Sequence, residues 1–192
     1  MTRILLIDGH PDPDPDHFVH ALADAYRDGA EKGGHDIRQV RIADLDFPIL
    51  RSQKEWKESP LPPDIAAAQQ AISWAEHLVV LYPMWLGDVP ALLKGFLEQV
   101  ARPDFAFRYR EKGFPEKLLA GRSAHVIVTM GMPAIAYSMV YRAHSLKSLE
   151  RNILRFVGIS PVHHTIVGRV EASDDHRRRW IEDIRLRGFE GD

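Results

Sequence analysis

The sequence predicts an α/β protein in which helices cover both faces of a doubly wound, parallel sheet. Short apolar runs alternate along the chain with segments of helical spacing, and neither internal repeats nor low-complexity segments interrupt this alternation. Residues 77–100 show the pattern most clearly, because an apolar run, the turn 83–87 and an amphipathic segment follow one another there. Ligands of open α/β sheets lie outside the carboxyl ends of the strands, so this turn is a candidate ligand wall.

The composition favours one globular domain, and we expect that domain to span residues 1–192. Hydrophobic residues make up 45% of the chain and charged residues 27%, which is typical of a globular protein. The net charge of −2 gives no indication of a nucleic-acid partner. The absence of cysteine excludes disulfides, thiol catalysis and cysteine-held metal centres, and no other cluster of residues predicts a metal site.

The sequence also favours a cytoplasmic location. The first apolar run is short and meets Asp8 at once, which is unlike a signal peptide. No segment approaches the roughly 20 apolar residues that a membrane-spanning helix needs. We therefore expect a cytoplasmic protein.

Two strands and one helix are expected in the first quarter of the chain. The β-branched apolar run 3–8 predicts the central first strand, and the alternating run 35–42 predicts the second. Between them, a helix is expected to begin near His17 and to stop at residues 33–34, which are both glycine. Its predicted inward face comprises Phe18, Leu22, Ala25 and Tyr26.

The middle of the chain is expected to hold the strand that ends at the candidate wall. Residues 44–63 contain four prolines and little periodicity, so they predict an ordered connecting loop before a helix over 64–75. The run 78–82 predicts a strand that is buried on both faces. Helical spacing resumes after Pro90, with an apolar face formed by Leu93, Phe96, Leu97 and Val100.

Residues 103–115 interrupt the alternation of strands and helices. They are rich in aromatic side chains, and residues 105–109 alternate, which predicts a short exposed strand or hairpin arm inserted near the candidate site. The next strand is expected over residues 123–129 and the last over residues 162–170.

Two more helices are expected in the last third of the chain. A helix over residues 145–157 ends at Gly158. Its apolar residues are Leu146, Leu149, Ile153, Leu154 and Phe156. The final helix is predicted to begin at Ser173, because a capping serine there precedes two aspartates.

Five strands alternating with helices in a chain of this length favour the flavodoxin-like strand order 2-1-3-4-5. The switch point of that order lies between the first and third strands. Three strand-end loops are expected to meet there, at residues 9–18, 82–90 and 129–137.

These three loops together predict a flavin nucleotide site. The first leads into a helix start, where free N–H groups and the helix dipole favour phosphate. The second offers an apolar wall, and the third offers Gly131, which would let a flat ring approach the backbone closely. Neither the P-loop sequence nor the three-glycine dinucleotide fingerprint follows the first strand.

At these loops the chain resembles the flavin-dependent NAD(P)H:quinone oxidoreductases with a flavodoxin-like fold. That family includes diaphorase-like enzymes, modulators of drug activity and the ancillary reductases of glutathione-gated potassium efflux systems. The resemblance covers residues 3–170 and is carried by short blocks, namely residues 9–11, 83–96, 105–109, 112–113 and 129–131, with Tyr137. The block 83–96, which reads PMWLGDVPALLKGF, is the specific part.

The resemblance implies a role for individual residues of the chain. Three residues match positions that contact the phosphate and ribityl chain of the flavin: His10, His17 and Phe18. Those that match the turn lining the isoalloxazine are Pro83, Met84, Trp85 and Leu86. The second wall matches Thr129, Gly131 and Tyr137, where the tyrosine helps to position nicotinamide or quinone.

The resemblance also implies chemistry and assembly. Members of the family pass a hydride from NAD(P)H to the flavin and then to a quinone, in a ping-pong reaction, and are usually homodimers whose site the partner subunit completes. Tyr137 is accordingly a candidate catalytic residue. His144, seven residues further along the chain, is a second candidate as a proton donor, although an exposed helical histidine is its simpler interpretation.

The chain departs from the family pattern in its first loop. Where relatives often place serine or threonine before the phenylalanine, this chain has Pro15, Asp16 and His17. Asp12, Asp14 and Asp16 are expected to repel a phosphate unless they point outward, and Asp16 is a candidate cap for the helix. The sequence therefore leaves open whether the flavin is FMN or FAD.

Two alternative functions fit the same fold. One is a regulatory or ancillary flavoprotein subunit of a potassium efflux transporter in the membrane. The other is a flavodoxin-type electron carrier, which the small net charge of −2 and the inserted segment 103–115 disfavour. The quinone acceptor and the preferred nicotinamide do not follow from the sequence.

Overall fold

The computed structural model describes residues 1–192 and contains a five-stranded parallel sheet with helices on both faces. The strands in chain order are β1 (Arg3–Asp8), β2 (Asp36–Arg41), β3 (His77–Pro83), β4 (Phe107–Arg108), β5 (Glu116–Lys117), β6 (Ser123–Thr129) and β7 (Val162–Val167). The sheet has the order β2-β1-β3-β6-β7, while β4 and β5 form a separate antiparallel hairpin. The predicted flavodoxin-like fold and its order 2-1-3-4-5 are therefore confirmed.

The helices are α1 (Phe18–Lys32), α2 (Gln53–Glu58), α3 (Pro63–Trp74), α4 (Ala91–Val100), α5 (Ala134–Met139), α6 (His144–Ser148), α7 (Arg155–Val157) and α8 (Asp174–Glu190). A π-helical segment, Leu149–Leu154, joins α6 to α7, so the helix predicted over 145–157 is continuous but irregular. No helix combines the length and the apolar character that crossing a bilayer requires.

The apolar runs form strands because the central strands are covered on both sides. All but the first residue of β1, and all of β3 except Pro83, are buried, as expected for strands between two helical layers. One core cluster packs the sheet against α3, α4 and the helix that begins at His144. The other core cluster packs the opposite face against α1 and α8.

The two helices of the second layer touch through glycines. A Cβ added at Gly29 of α1 would lie 1.9 Å from the carbonyl oxygen of Arg185, and one added at Gly188 of α8 would lie 2.1 Å from that of Tyr26. No side chain fits between backbones at this distance, so both glycines permit the direct contact that holds α8 against α1.

The prediction of an ordered loop over residues 44–63 is wrong in part, because the segment contains α2. Ser52 accepts a hydrogen bond from the N–H of Glu55 at 3.1 Å, and the Glu55 carboxylate accepts one from the N–H of Arg51 at 2.8 Å. This reciprocal arrangement, a serine followed three residues later by glutamate, starts a short helix in spite of the surrounding prolines.

One further boundary differs from the expectation. The last strand ends at Val167 rather than at residue 170, since Arg169 adopts a positive φ of 57°. Phe156, an apolar residue of the helix predicted over 145–157, is 39% exposed and lies beside Phe107. The predicted cap at Ser173 is confirmed, with the serine accepting from the N–H of His176.

Candidate active site

The three predicted loops meet at the carboxyl ends of β1, β3 and β6. The ring of His10 lies 5.9 Å from that of Trp85, edge to face, which joins the first loop to the second. The N–H of Met84 donates to the carbonyl of Thr129 at 2.8 Å, which joins the second loop to the third. Thr129 itself is buried. The predicted convergence of residues 9–18, 82–90 and 129–137 is therefore present in the fold.

The first loop is held by a buried carboxylate that the sequence analysis did not single out. Asp8 ends β1, and its carboxylate accepts from the His20 ring and from the N–H of His10 at 3.2 Å. The other ring nitrogen of His20 contacts the carbonyl of Asp12 at 2.9 Å. Arg41, at the end of β2, donates to the carbonyl of Pro13 and lies 4.0 Å from Asp8. These contacts fix the path of the loop.

Two of the predicted cofactor residues stack on each other at the start of α1. The rings of His10 and His17 are 3.9 Å apart and nearly parallel. Burial, and next the neighbouring His17, lower the pKa of His10 below its ordinary value. His17 begins α1 without a side-chain cap, and the N–H groups of Phe18 and Val19 have no acceptor within the chain. This helix start therefore offers free donors beside two imidazoles.

In the first loop, the carboxylates of Asp12 and Asp14 accept hydrogen bonds from backbone N–H groups of the same loop. The Asp12 carboxylate accepts from the N–H of Asp14, and the Asp14 carboxylate accepts from the N–H of Asp16, each at 3.0 Å. The suggestion that Asp16 caps α1 is wrong, because the helix start has no side-chain cap. Asp12 differs from the other two, since its second oxygen lies 3.0 Å from the Nε2 atom of His17.

The second loop is a tight reverse turn that presents apolar side chains to solvent. Trp85 and Asp88 exchange backbone hydrogen bonds of 2.9 and 3.0 Å, while Leu86 and Gly87 have φ values of 48° and 83°. Positive φ at both central residues defines a type I′ turn. Trp85 is 49% exposed and Leu86 is fully exposed, whereas Pro83 and Met84 are partly buried.

A cavity of about 620 Å³ lies between the second and third loops. Its lining residues are Met84, Leu86, Gly87, Met132, Tyr137, Val140, Tyr141, His144 and Ser145. Both candidate catalytic residues, Tyr137 and His144, are among them. A cavity of this size and apolar character is typical of a small-molecule site.

Tyr137 is held in place by two partners from the following helix. Its hydroxyl lies 2.7 Å from the Oγ atom of Ser145 and accepts from the N–H of Leu146 at 3.2 Å. Sequence reasoning missed Ser145, which is buried beside the exposed His144. The signal available was its position directly after His144, but only the fold shows that it reaches Tyr137.

The connection between these residues has an unusual backbone. Arg142 and Ala143 both adopt left-handed conformations, with φ values of 52° and 49°, immediately before His144. Such conformations are costly for residues other than glycine and cluster at functional sites. The π-helical segment after α6 is a second irregularity of the same kind.

Gly131 has room around it. An added Cβ would meet nothing nearer than the Glu171 carboxylate at 3.8 Å, and its φ lies outside the left-handed region. The chain itself therefore does not require glycine at this position, which leaves the close approach of a ligand as a reason for it.

The inserted segment 103–115 packs around a different cavity. The Phe107 ring lies 5.8 Å from Trp56 and 5.0 Å from Phe156, beside a cavity of about 630 Å³. Phe107 is buried, whereas Tyr109 and Phe114 are exposed. Neither Trp85 nor Tyr137 lines this second cavity.

A sheet of this order with a ligand wall at its switch point defines the flavodoxin-like class of proteins. A family model described as a flavodoxin-like fold matches residues 2–186, and the chain belongs to that family.

Relatives with assigned names agree with this class. An NAD(P)H oxidoreductase of Haemophilus influenzae, otherwise uncharacterized, is 25% identical over 94% of this chain and 90% of its own length. FMN-dependent NADH:quinone oxidoreductase 1 of Jannaschia sp. is 28% identical over 83% of this chain and 91% of its own. The structure of an NAD(P)H:quinone oxidoreductase from Methanothermobacter marburgensis superposes with a TM-score of 0.83 at 24% identity. The superposition covers 100% of this chain and 99% of the M. marburgensis chain, which shows that the two chains share a fold.

The residues at the switch point fit a flavin mononucleotide. The free N–H groups of Phe18 and Val19 suit a phosphate, and the exposed Trp85 and Leu86 suit one face of an aromatic ring system. The open space at Gly131 suits the approach of the same ring system to the backbone. No cluster of three or more acidic or histidine side chains is arranged to hold a metal ion.

Proposed function

We propose that this protein is a flavin-dependent NAD(P)H:quinone oxidoreductase that uses FMN. The observation that carries the proposal is the meeting of a helix start with free N–H groups and an exposed apolar turn, 5.9 Å apart between the rings of His10 and Trp85. The names of relatives similar over most of the chain support it, since they include an NAD(P)H oxidoreductase and an FMN-dependent quinone oxidoreductase.

In this proposal the first loop holds the polar end of the cofactor. His10, His17, Phe18 and the N–H group of Val19 bind the phosphate and ribityl chain. The helix dipole of α1 adds to this attraction. When bound, FMN supplies the two-electron hydride chemistry.

The ring system lies between the other two loops. Pro83, Met84, Trp85 and Leu86 line one side of it, and Thr129 and Gly131 line the other. Since Trp85 and Leu86 are exposed in the protein alone, covering them with a flat ring removes apolar surface from water.

Tyr137 and Ser145 supply a hydrogen-bond donor to the acceptor molecule in the cavity. Reduction of a quinone to a hydroquinone needs a proton for an oxygen as well as a hydride. The two hydroxyls carry two hydrogens, of which one is used between them, and the Leu146 N–H occupies the Tyr137 oxygen. One hydroxyl hydrogen is thus left for an oxygen in the cavity, and the exposed His144 replenishes it from solvent.

The surface around the cavity suits a second copy of the chain. Large apolar side chains stand exposed there, namely Leu86, Ile135, Met139, Val140 and Tyr141. Contiguous apolar surface of this kind marks an interaction site. We therefore include a homodimer, with the partner completing the site, in the proposed function.

The experiment that tests the proposal is a visible absorbance spectrum of the purified protein, followed by acid release and chromatography of the chromophore. Twin flavin bands and released FMN are expected. Steady-state assays with NADH and NADPH should then show flavin-dependent reduction of a quinone. A protein that takes up no flavin, or takes it up without turnover, would sink the enzyme proposal.

A further inference from the structure

One carboxylate lies against an imidazole that the proposed function assigns to the flavin phosphate. The Oδ2 atom of Asp12 is 3.0 Å from the Nε2 atom of His17, although the alignment is not that of a regular hydrogen bond. The same aspartate accepts from the N–H of Asp14 through its other oxygen. Both contacts lower the pKa of Asp12, with the Asp14 N–H as the larger cause, so the group is an anion at neutral pH.

The backbone of Asp12 keeps its carboxylate near His17. The Asp12 carbonyl lies 2.9 Å from the Nε2 atom of His20 and 3.2 Å from the Nδ1 atom of His10. The Asp12 N–H also points to this His10 nitrogen, at 3.1 Å. A movement of the whole residue away from His17 would therefore disturb two neighbouring histidines.

The cationic side chain of Arg41, at the end of β2, already has partners within the chain. Arg41 donates to the carbonyl of Pro13 and lies beside Asp8, so it braces the loop. The first turn of α1 contains no acidic residue of its own. His17, stacked on His10 and 36% exposed in its side chain, is thus the imidazole at the helix start that faces both solvent and a carboxylate.

We propose that Asp12 determines the affinity for phosphorylated flavin, as an internal anion that competes with the phosphate for His17. This inference rests on the proposed function, since it assumes that flavin phosphate binds at the start of α1. Like charges within a few ångströms repel, and removing one of them strengthens binding of the other. We expect neutralisation of Asp12 to tighten FMN binding about tenfold.

The substitution that isolates this effect is Asp12→Asn. The asparagine side chain keeps an oxygen that can accept from the N–H of Asp14, so the local turn is retained. The matched control is Asp14→Asn, because Asp14 makes the same kind of turn, with the N–H of Asp16 at 3.0 Å, but its carboxylate contacts no histidine. Only its carbonyl oxygen, which the substitution keeps, accepts from the N–H of His17, at 3.5 Å. Both changes alter the net charge equally, so a general electrostatic effect would appear in both.

The test is a fluorescence titration of the flavin-free protein and both variants with FMN and, separately, with riboflavin, which lacks the phosphate. Asp12→Asn is expected to lower the dissociation constant for FMN about tenfold and to leave that for riboflavin unchanged. Asp14→Asn should change the FMN constant by no more than about twofold.

Three results would overturn the inference, and they differ in what they say of the proposed function. If FMN binds equally well or more weakly to the Asp12→Asn variant, Asp12 is not a competitor, and flavin binding itself stands. If neither flavin binds to any of the three proteins, the inference and the proposed function fall together. Equal tightening of riboflavin would also overturn the inference, because the effect would then not involve the phosphate.

Discussion

The histidines at the two ends of the sheet have different surroundings. Near the amino ends of the strands, His77 and His125 are buried, and each ring bonds a hydroxyl of the next strand, Ser123 at 2.7 Å and Thr165 at 2.8 Å. Their remaining ring nitrogens have no partner. Burial is the main cause that lowers the pKa of both rings. These histidines act as neutral core side chains.

At the carboxyl ends the histidine rings face oxygen atoms and one another, and His17 is partly exposed to solvent. His17 lies beside a carboxylate at the start of a helix, and His10 stacks on it and reaches towards Trp85. Buried, neutral histidines thus lie at one end of the sheet, and the candidate ligand site lies at the other. Substitutions at the two ends should therefore separate folding from binding.

The largest expected effect is a loss of stability at acidic pH, and it comes from His77, near the amino ends of the strands. Burial lowers the pKa of His77 from 6.5 to about 4, so the unfolded chain binds more protons than the folded one between these values. The free energy of unfolding should fall as the pH drops through that range, by about 3 kcal/mol from this residue. Denaturant unfolding at a series of pH values measures it.

The variant that tests this assignment is His77→Gln, whose side chain does not titrate. Its stability should depend less steeply on pH between about 6.5 and about 4 than that of the original protein. His163→Gln, which alters an exposed histidine of β7 that is only a minor cause of the lowered pKa of His77, is the control and should reduce the slope much less. An unchanged slope in the His77 variant would show that this end of the sheet does not govern acid stability.

The next largest effect is expected at the candidate wall. Trp85→Ala should weaken FMN binding by about 2 kcal/mol, since a large aromatic contact is removed. The melting temperature of the flavin-free protein should stay unchanged, because Trp85 is 49% exposed and lies outside both core clusters. Fluorescence titration and thermal unfolding provide the two measurements.

The matched control for the wall is Trp56→Ala. Trp56 packs against the core and lines the other cavity, so its loss should lower the melting temperature and leave FMN binding intact. If instead Trp85→Ala retained flavin as well as the original protein, the wall would lie elsewhere.

A smaller effect is expected from the hydroxyl pair in the cavity. Ser145→Ala removes the Oγ partner of Tyr137 and should slow quinone reduction about tenfold, or about 1.4 kcal/mol in the barrier. FMN affinity should not change, whereas the solvent deuterium isotope effect on turnover should rise because proton transfer becomes limiting.

Ser148→Ala is the control for this hydroxyl, because Ser148 is exposed and bonds Asn152 on the same helix. Turnover that is the same in Ser145→Ala, Ser148→Ala and the original protein would remove the pair from the proposed chemistry.

The smallest expected effect is that of Gly131→Ala on FMN binding, and Gly168→Ala is its control. Gly131→Ala should raise the dissociation constant for FMN a few-fold, by less than about 1 kcal/mol, and should not alter stability, because an added Cβ meets nothing within 3.8 Å. Gly168→Ala should instead destabilise the fold, since its Cβ would lie 2.6 Å from the N atom of Ala134. Unchanged FMN binding in Gly131→Ala would mean that the ring does not approach this backbone.

The fold was predictable because burial on both faces leaves continuous apolar runs in the sequence. Residues 78–82 and 123–129 are of this kind, and they became the centre of the sheet. The short helix α2 escaped prediction because four prolines in residues 44–63 outweighed the pairing of Ser52 with Glu55. A serine–glutamate capping pair of this kind can be recognised in a sequence, but the neighbouring prolines favoured the prediction of a loop.

The site was predictable only as far as the loops that form it. Strand ends and their order place Met84 and Leu86 beside the same cavity as Tyr137 without knowledge of side-chain contacts. The partners that hold these residues, such as Ser145 with Tyr137 or Asp8 with His20, depend on how helices rest on the sheet. No periodicity in the sequence encodes such contacts.

The π-helical turn at Leu149–Leu154 has a consequence for insertions and deletions in this chain. A π turn accommodates one more residue than an α turn, so His144 and Ser145 are rotated by about 100° from where a regular helix would place them. Removing one residue from this segment would restore regular bonding and turn both side chains away from the cavity, with every site residue still present. The length of this segment therefore bears on the cavity, as does the identity of the residues that line it.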